Sequence, residues 1–378
     1  MKIALVNPPW TSKGTWWCRE PHLPLEYGYA HELLERAGHD AAIFDAHFFR
    51  LTVGELCEQV AEYRPDMTII ATAPSPFSWH CPAPEWGGPQ LVVASLGDGA
   101  GKLVAVGPHG STSPQTTIDK LGVDVVVLGD CEEALVELAG RPAFEWSGIE
   151  GIAYAERDRV VGRGGPRVAR LDQMPALRWG QAWLANHAHH HHRFDEGERS
   201  GPGAEIEASR GSVGGKQSRR DPYRKRRFGA TLDELDDLVA QGVSYVYFVD
   251  EVFLPDRPLL EELAGRAIAF GMRTRIDLWD RETLDLLACA GCVSVDADVP
   301  RLDDRALLVH AKGKIPFVQA NLIDADDDEP AEVSSWRAYL RSHGIWTQEP
   351  ASQFQAPCLP RYSPRWRPRG EQFEPSRA

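Results

Sequence analysis

The sequence predicts an α/β protein in two parts: a doubly wound, flavodoxin-like (Rossmann-like) domain, then an incomplete TIM-like barrel of six βα units. Three observations predict it. Apolar runs such as "KIALVNP" and "VDVVVLGD" show no period-two alternation, as expected of strands buried on both faces of a parallel sheet. Amphipathic stretches of helical length separate them, each closed by Gly or Pro. After a polar connector the same alternation resumes at residue 205.

The first part reads in order. "KIALVNP" is a strand running into a Pro-rich loop, and "LEYGYAHELLERAGHD" an amphipathic helix with a glycine stop. "AAIFDAH" is a strand, and "TVGELCEQVAEYRP" a helix stopped by Pro65. "DMTIIATAPS" and "KLVAVGPHGS" are strands flanking a helical stretch weakened by glycines near 97–101. "TTIDKLG" is helical, and "VDVVVLGDCEEALVELAG" holds a fifth strand and its helix. These five units predict a domain over 1–140.

Residues 141–204 read as a linker, with a β-hairpin in "IEGIAYAERDRVVGRGG" and a His-rich loop in "HAHHHHRF". The run of His187 and His189–His192 points its rings in several directions, whereas metal ligands need a chosen spacing. It reads as a solvated or ligand-facing loop. The partial barrel occupies 205–345. Its strands are "AEIEASRG", "SYVYFVDEVFLP", "MRTRIDLW", "CVSVDADV", "IPFVQANLID" and "IWTQEP". Its helices are "TLDELDDLVAQG", "RPLLEELAGRAIAFG", "DRETLDLLACAG", "RLDDRALLVHAKG" and "PAEVSSWRAYLRSHG". Residues 346–378 read as a Pro/Arg-rich disordered tail.

Composition narrows the function. A net charge of −14 over 378 residues argues against nucleic acid and membrane surfaces, both anionic. No run approaches the length of a membrane span, and the N-terminus lacks a signal-peptide layout, so the chain reads as cytoplasmic. The basic run "RRDPYRKRRF" reads as a solvated or salt-bridged helix start. Seven scattered cysteines make no disulfide framework. The one close pair, Cys289 and Cys292, ends a helix and opens a strand, which fits core packing. Twelve tryptophans gather largely in loops, which suits a large flat ligand, an interdomain seam or plain core filling.

In a doubly wound sheet, ligands bind beyond the carboxyl ends of the strands. Those ends read "NPPW", "TAPSPFSW", "GPHGS" and "GDCEE", rich in Gly, Pro and Ser that let backbone approach a ligand. Strand one leads into no G-x-G-x-x-G, which disfavours a dinucleotide. Aspartates do not cluster as in a phospho-receiver. A mononucleotide and a corrinoid both fit.

"NPP" after strand one, "VGPHGS" after strand four and "LGDCEEAL" after strand five resemble the cobalamin-binding domain of B12-binding radical S-adenosylmethionine proteins. The resemblance implies a corrinoid lined by Pro8, Trp10, Ser75, Gly107, His109, Gly110, Ser111, Gly129, Asp130 and Glu132. The D-x-H-x-x-G signature that supplies an axial His is absent after strand one. In the second part, "SRG" at Ser209–Gly211 resembles the opening of the C-x-x-x-C-x-x-C loop, whose thiolates hold a [4Fe–4S] cluster in that family. Strand ends offer Asp250, Glu251, Arg275 and Asp296 (or Asp298) as contacts to S-adenosylmethionine.

The cluster loop itself is missing. "SVGGKQSRRDPYRKRRF" follows, and Ser212, Gly215 and Ser218 cannot replace three thiolates. Family members methylate unreactive carbon through methylcobalamin or do related radical chemistry on small molecules. The expectation here is a cobalamin-binding member without cluster or radical activity; the alternative is non-radical corrinoid methyl transfer, or a carrier or partner protein. The substrate or partner protein is unnamed by the sequence, and no catalytic residue is assigned.

Overall fold

The protein is described by a computed structural model covering residues 1–10, 22–74, 85–157, 159–187, 202–211, 213, 222–301, 304–322 and 331–347. It divides into two compact units, the first built on Met1–Arg170 and the second on Leu171–Ala356.

The first unit runs β1 (Lys2–Asn7), α1 (Leu25–Arg36), β2 (Asp40–Asp45), α2 (Val53–Tyr63), β3 (Met67–Ala71), α3 (Gly87–Leu96), β4 (Lys102–Val106), α4 (Pro108–Thr112), α5 (Pro114–Leu121), β5 (Val125–Val127), α6 (Glu132–Ala139), β6 (Ile152–Glu156) and β7 (Arg159–Arg163). Its sheet has the order β2-β1-β3-β4-β5-β6-β7. The first five strands are parallel. The hairpin β6–β7 adds on antiparallel to β5.

Successive residues of a strand point to opposite faces, and β1 shows why its apolar run is unbroken. Ile3 and Leu5 pack with Leu34 of α1 and Leu135 and Leu138 of α6. Ala4 and Val6 pack on the other face with Leu56 and Val60 of α2 and Val92 of α3. Helix α2 starts on a capping box, in which Thr52 accepts from Glu55 N–H and the Glu55 carboxylate accepts from Thr52 N–H.

The second unit runs α7 (Gln181–Asn186), β8 (Gly203–Ile206), β9 (Ser209–Arg210), β10 (Arg224–Lys225), α8 (Phe228–Ala240), β11 (Tyr245–Phe248), α9 (Arg257–Ala264), β12 (Ala269–Arg275), α10 (Arg281–Cys289), β13 (Cys292–Val299), α11 (Arg305–Lys312), β14 (Phe317–Leu322), α12 (Ala331–Ser342) and β15 (Trp346–Thr347). Six strands form one sheet in the order β15-β14-β13-β12-β11-β8, every neighbouring pair parallel. The short ribbon β9–β10 is antiparallel and separate.

Two features differ from the sequence reading. The hairpin β6–β7, read as part of a linker after residue 140, extends the sheet of the first unit through β5. The helix expected to run through Gly271 ends at Ala264, and the strand begins at Ala269. Gly271 is no helix stop. A Cβ there would lie 2.3 Å from the Tyr245 hydroxyl, so the glycine marks a close approach within the sheet. Of the Cys289–Cys292 pair only Cys292 is buried, and Cys289 is exposed. No helix among the described residues is long and apolar enough to cross a membrane.

Candidate functional site

Two sets of strand ends carry the candidate residues. In the first unit they follow β1, β4 and β5. Asn7 closes β1 and lies in register with Asp45, which closes β2. Asn7 Nδ2 donates to Asp45 Oδ2 at 2.8 Å, and Asn7 Oδ1 accepts from Trp10 Nε1 at 2.8 Å. Burial pushes the Asp45 carboxyl up to about 7, against the opposing hydrogen bonds from Asn7 and the Phe48 amide. On the loop that follows, Pro8 is buried and Trp10 half-buried.

At the exit of β4 the chain turns at Gly107, with φ of 102°. Thr72 ties this exit to that of β3. Its hydroxyl donates to the Val106 carbonyl at 2.7 Å and accepts from Gly110 N–H at 3.0 Å. The His109 ring is buried, edge-on to Trp86 at 6.5 Å between centroids. Ser111 ties β4 to β5: its Oγ lies 3.0 Å from the Gly107 carbonyl oxygen and accepts from Gly129 N–H at 2.9 Å. Gly129, with φ of 79°, would set a Cβ 2.3 Å from the Arg167 carbonyl oxygen. Asp130 accepts from Ala169 N–H at 2.8 Å, and Glu132 is fully buried in the first turn of α6. Ser75 lies outside the described residues.

Small residues and hydroxyls thus join the ends of β3, β4 and β5 into a rim of backbone, through Thr72, Gly107, Gly110, Ser111 and Gly129. Gly110 shows how tight it is, since a Cβ there would meet Val126 at 3.1 Å and Thr72 at 3.4 Å. Such a rim can take a broad, flat ligand, and it fits a corrinoid.

In the second unit the sheet has two contrasting faces. Residues in register across one face are Glu205, Tyr247, Gly271 and, one step on, Arg273, Asp296 and Gln319. Next come Arg275, Asp298 and Asn321. The intervening residues Ile206, Phe248, Met272, Val295, Ala297 and Ala320 are apolar and buried. Arg273 donates to both oxygens of Asp298 at 2.8 and 2.9 Å, and Asn321 Nδ2 donates to Asp298 at 3.1 Å. Gln319 donates to Asn321 at 2.9 Å. Burial alone would lower the Arg273 pKa, but Asp298 and Asp296 raise it. Glu205 holds His187 at 2.9 and 3.0 Å, both buried.

The turn after β8 is locked from several sides. Asp250 accepts from Ala208 N–H at 2.8 Å and from the Ser209 hydroxyl. Glu207 pairs with Arg210 at 2.8 and 3.0 Å. Arg226 donates to the Glu207 carbonyl at 2.9 Å, to the Pro175 carbonyl at 2.6 Å and to Glu234 at 2.8 Å. A small pocket of about 70 Å³ lies beside this turn, lined by Ser209, Tyr223, Lys225, Phe228, Asp250 and Phe253 among others.

Of the residues expected at S-adenosylmethionine, Asp296 lies on the polar face of the sheet. Both carboxylate oxygens of Asp250 are used by its own chain. Glu251 follows it half-buried. Arg275 chelates Asp277 at 3.1 and 2.7 Å and donates to the Val213 carbonyl. The sequence reading missed Arg273, Gln319, Asn321 and Glu205. Their signal was a stride of two: "RTR", "DAD" and "QAN" put a polar residue at every second position of adjacent strands.

Residues 205–228 offer no thiolate to an iron–sulfur cluster, since none of the seven cysteines lies there. Cys289 ends α10 and Cys292 opens β13, at the opposite end of that strand from Asp298. Burial pushes the Cys292 thiol up, away from thiolate. Among the described residues no group of three or more His, Cys, Asp or Glu could hold a metal ion. Ser212, Gly215 and Ser218 lie outside the described residues.

Asp250 gives a pH test. Burial pushes its carboxyl up to about 7, though the bonds from Ser209 and Ala208 oppose this. The folded state then keeps a proton that the unfolded chain has released. This contribution to stability is full below about pH 4. It falls by about 1.4 kcal/mol per pH unit as pH rises towards 7, and is flat above. Urea midpoints between about pH 5 and 7 should therefore fall less in Asp250→Asn than in wild type. Equal slopes would contradict the buried-carboxyl assignment.

No family model matches the chain, and no curated protein does. Solved structures do. TsrM from Kitasatospora setae, a radical S-adenosylmethionine methyltransferase with cobalamin and a [4Fe–4S] cluster bound, is 17% identical at a TM-score of 0.69, over 92% of this chain and 74% of that one. The same protein with tryptophan substrate and an S-adenosylmethionine analogue bound gives 18% and 0.66, over 92% and 72%. OxsB, a cobalamin-dependent S-adenosylmethionine radical enzyme with aqua-cobalamin and S-adenosylmethionine bound, gives 16% and 0.60, over 83% of this chain and 46% of that one. The chain has the fold of cobalamin-dependent radical S-adenosylmethionine enzymes.

Proposed function

We propose that the first unit binds a corrinoid and that the chain works without radical initiation, as a corrinoid-binding pseudoenzyme or carrier. One observation carries this reading: a fold shared at a TM-score of 0.69 with a cobalamin- and cluster-bound enzyme occurs in a chain with no thiolate where the cluster loop belongs. Trp10, Gly107, His109, Gly110, Ser111 and Gly129 would hold the corrinoid, with Pro8, Asp130 and Glu132 behind them. When bound, the corrinoid supplies a cobalt centre that can accept and release a methyl group. The chain's own part is to present backbone rather than side chains at the rim, fix the loops through Thr72 and Ser111, and keep water from the crevice floor.

A second reading, methyl transfer by polar displacement, is favoured by the polar face of the second unit. Burying Glu205, Asp296, Asp298, Gln319 and Asn321 costs stability that an apolar face would not, so the face is suited to a polar small molecule. In this reading Asp296 and Glu251 would meet S-adenosylmethionine, with Arg275 at the neighbouring strand end.

Visible absorption during titration of the full chain with hydroxocobalamin tests the first reading, which expects a saturable spectral change. No change would overturn it. Methyl transfer from S-adenosylmethionine in the absence of reductant would favour the second reading over a pure carrier.

A further inference from the structure

Asn7 and Asp45 form a buried pair beside the ligand crevice, 3% and 1% exposed. Every heteroatom of the pair has an assignment. Asp45 accepts from Asn7 Nδ2 at one oxygen and from Phe48 N–H at the other, both at 2.8 Å. Because the Trp10 indole N–H can only donate, the Asn7 amide has one orientation, with Nδ2 towards Asp45. Its oxygen then faces the Trp10 indole N–H, which donates to it at 2.8 Å. A second contact fixes the same loop: a Cβ at Gly88 would lie 2.4 Å from the Pro9 carbonyl oxygen, so α3 meets the backbone there directly. Residues 8–10 are thus pinned by a side-chain relay and by a backbone contact. In a sheet of order 2-1-3-4-5 the crevice opens where β1 and β3 diverge, and Trp10 lies three residues beyond β1.

We infer that Asn7 and Asp45 are positioning residues which hold the Trp10 indole as a preset flat wall of the crevice, for a planar macrocyclic ligand of the corrinoid class. The inference rests on the corrinoid reading of the first unit. A wall fixed before binding loses little rotamer freedom when the ligand arrives, and an indole face packs well on a flat ring. The relay also explains why an amide closes β1 and a carboxylate closes β2: exchange of either one alone breaks the donor–acceptor match.

The test is a set of hydroxocobalamin titrations of the full chain, followed by visible absorption. W10A is expected to weaken binding about tenfold, since it removes the wall. N7D sets two carboxylates against each other and is expected to weaken binding about fivefold, the loss of one hydrogen bond. D45N is expected to do the same. The paired exchange N7D/D45N reverses which side donates and keeps all three hydrogen bonds, so its affinity should return to within about twofold of wild type. The decisive readout is N7D in the W10A background: a residue acting through Trp10 costs nothing further there, whereas a merely structural one costs the same again. If N7D alone does not fold, D45N with and without W10A supplies the same comparison. Wild type that binds, with W10A unchanged or with additive losses, overturns the positioning role alone. Wild type that does not bind overturns the corrinoid reading and the positioning role together.

Discussion

Arg226→Ala is expected to cost about 3–5 kcal/mol of folding stability. The guanidinium is fully buried against the fully buried carboxylate of Glu234. It also donates to two backbone carbonyls, Glu207 just after β8 and Pro175 on the segment preceding α7. Glu234 accepts in turn from Leu177 N–H at 2.9 Å. Burial pushes the Glu234 pKa up even with Arg226 beside it, since burial outweighs the attraction. Removing the arginine leaves that carboxyl without its counter-charge and two carbonyls without donors. Glu234→Ala should cost a similar amount, leaving the guanidinium uncompensated. The double replacement Arg226→Met with Glu234→Leu is expected to recover most of the loss, because a packed apolar pair avoids the desolvation of both charges. Chemical denaturation of the four proteins measures this. A single variant within about 1 kcal/mol of wild type would show that the pair is not the clamp described.

Gly129→Ala is expected to cost on the order of 3 kcal/mol and to weaken hydroxocobalamin binding. Two effects combine. A φ of 79° is strained for any residue with a Cβ. The new Cβ would also lie 2.3 Å from the Arg167 carbonyl oxygen, the same oxygen that accepts from Asp130 N–H at 3.0 Å. That contact has nowhere to yield without moving the exit of β5. Gly122 provides the control. Its φ is 64°, yet a Cβ there would meet nothing within 4 Å. Gly122→Ala should therefore show only the conformational part, about 1 kcal/mol. Equal losses at both positions would mean that the close approach at the rim contributes nothing.

These residues also show where sequence reading stops. β1 was legible because a run buried on both faces must be apolar throughout, and Ile3 to Val6 satisfy that from residue types alone. The stride of two on β12, β13 and β14 was equally present in the letters. The register that aligns Arg273 with Asp296 and Gln319 was not, because strand pairing is set by packing across the whole sheet. The Asn7–Asp45 pair depended on the register of β1 with β2. Arg226 and Glu234 lie on what read as a solvated basic run and an ordinary amphipathic helix. Their burial arises only when the segment at Pro175 folds over them. Gly271 misled for a related reason, since a glycine stop and a glycine contact look alike until the neighbour, Tyr245, is in place.

The proposed function requires this fold to keep a corrinoid site without a cluster. Iron and cobalt analysis, with an absorption spectrum, of protein purified anaerobically and reconstituted with iron, sulfide and hydroxocobalamin tests it most directly. The expected result is cobalt retained without iron. About four irons per chain with a broad charge-transfer band would contradict it, and would mean that ligands other than the absent thiolates hold the cluster.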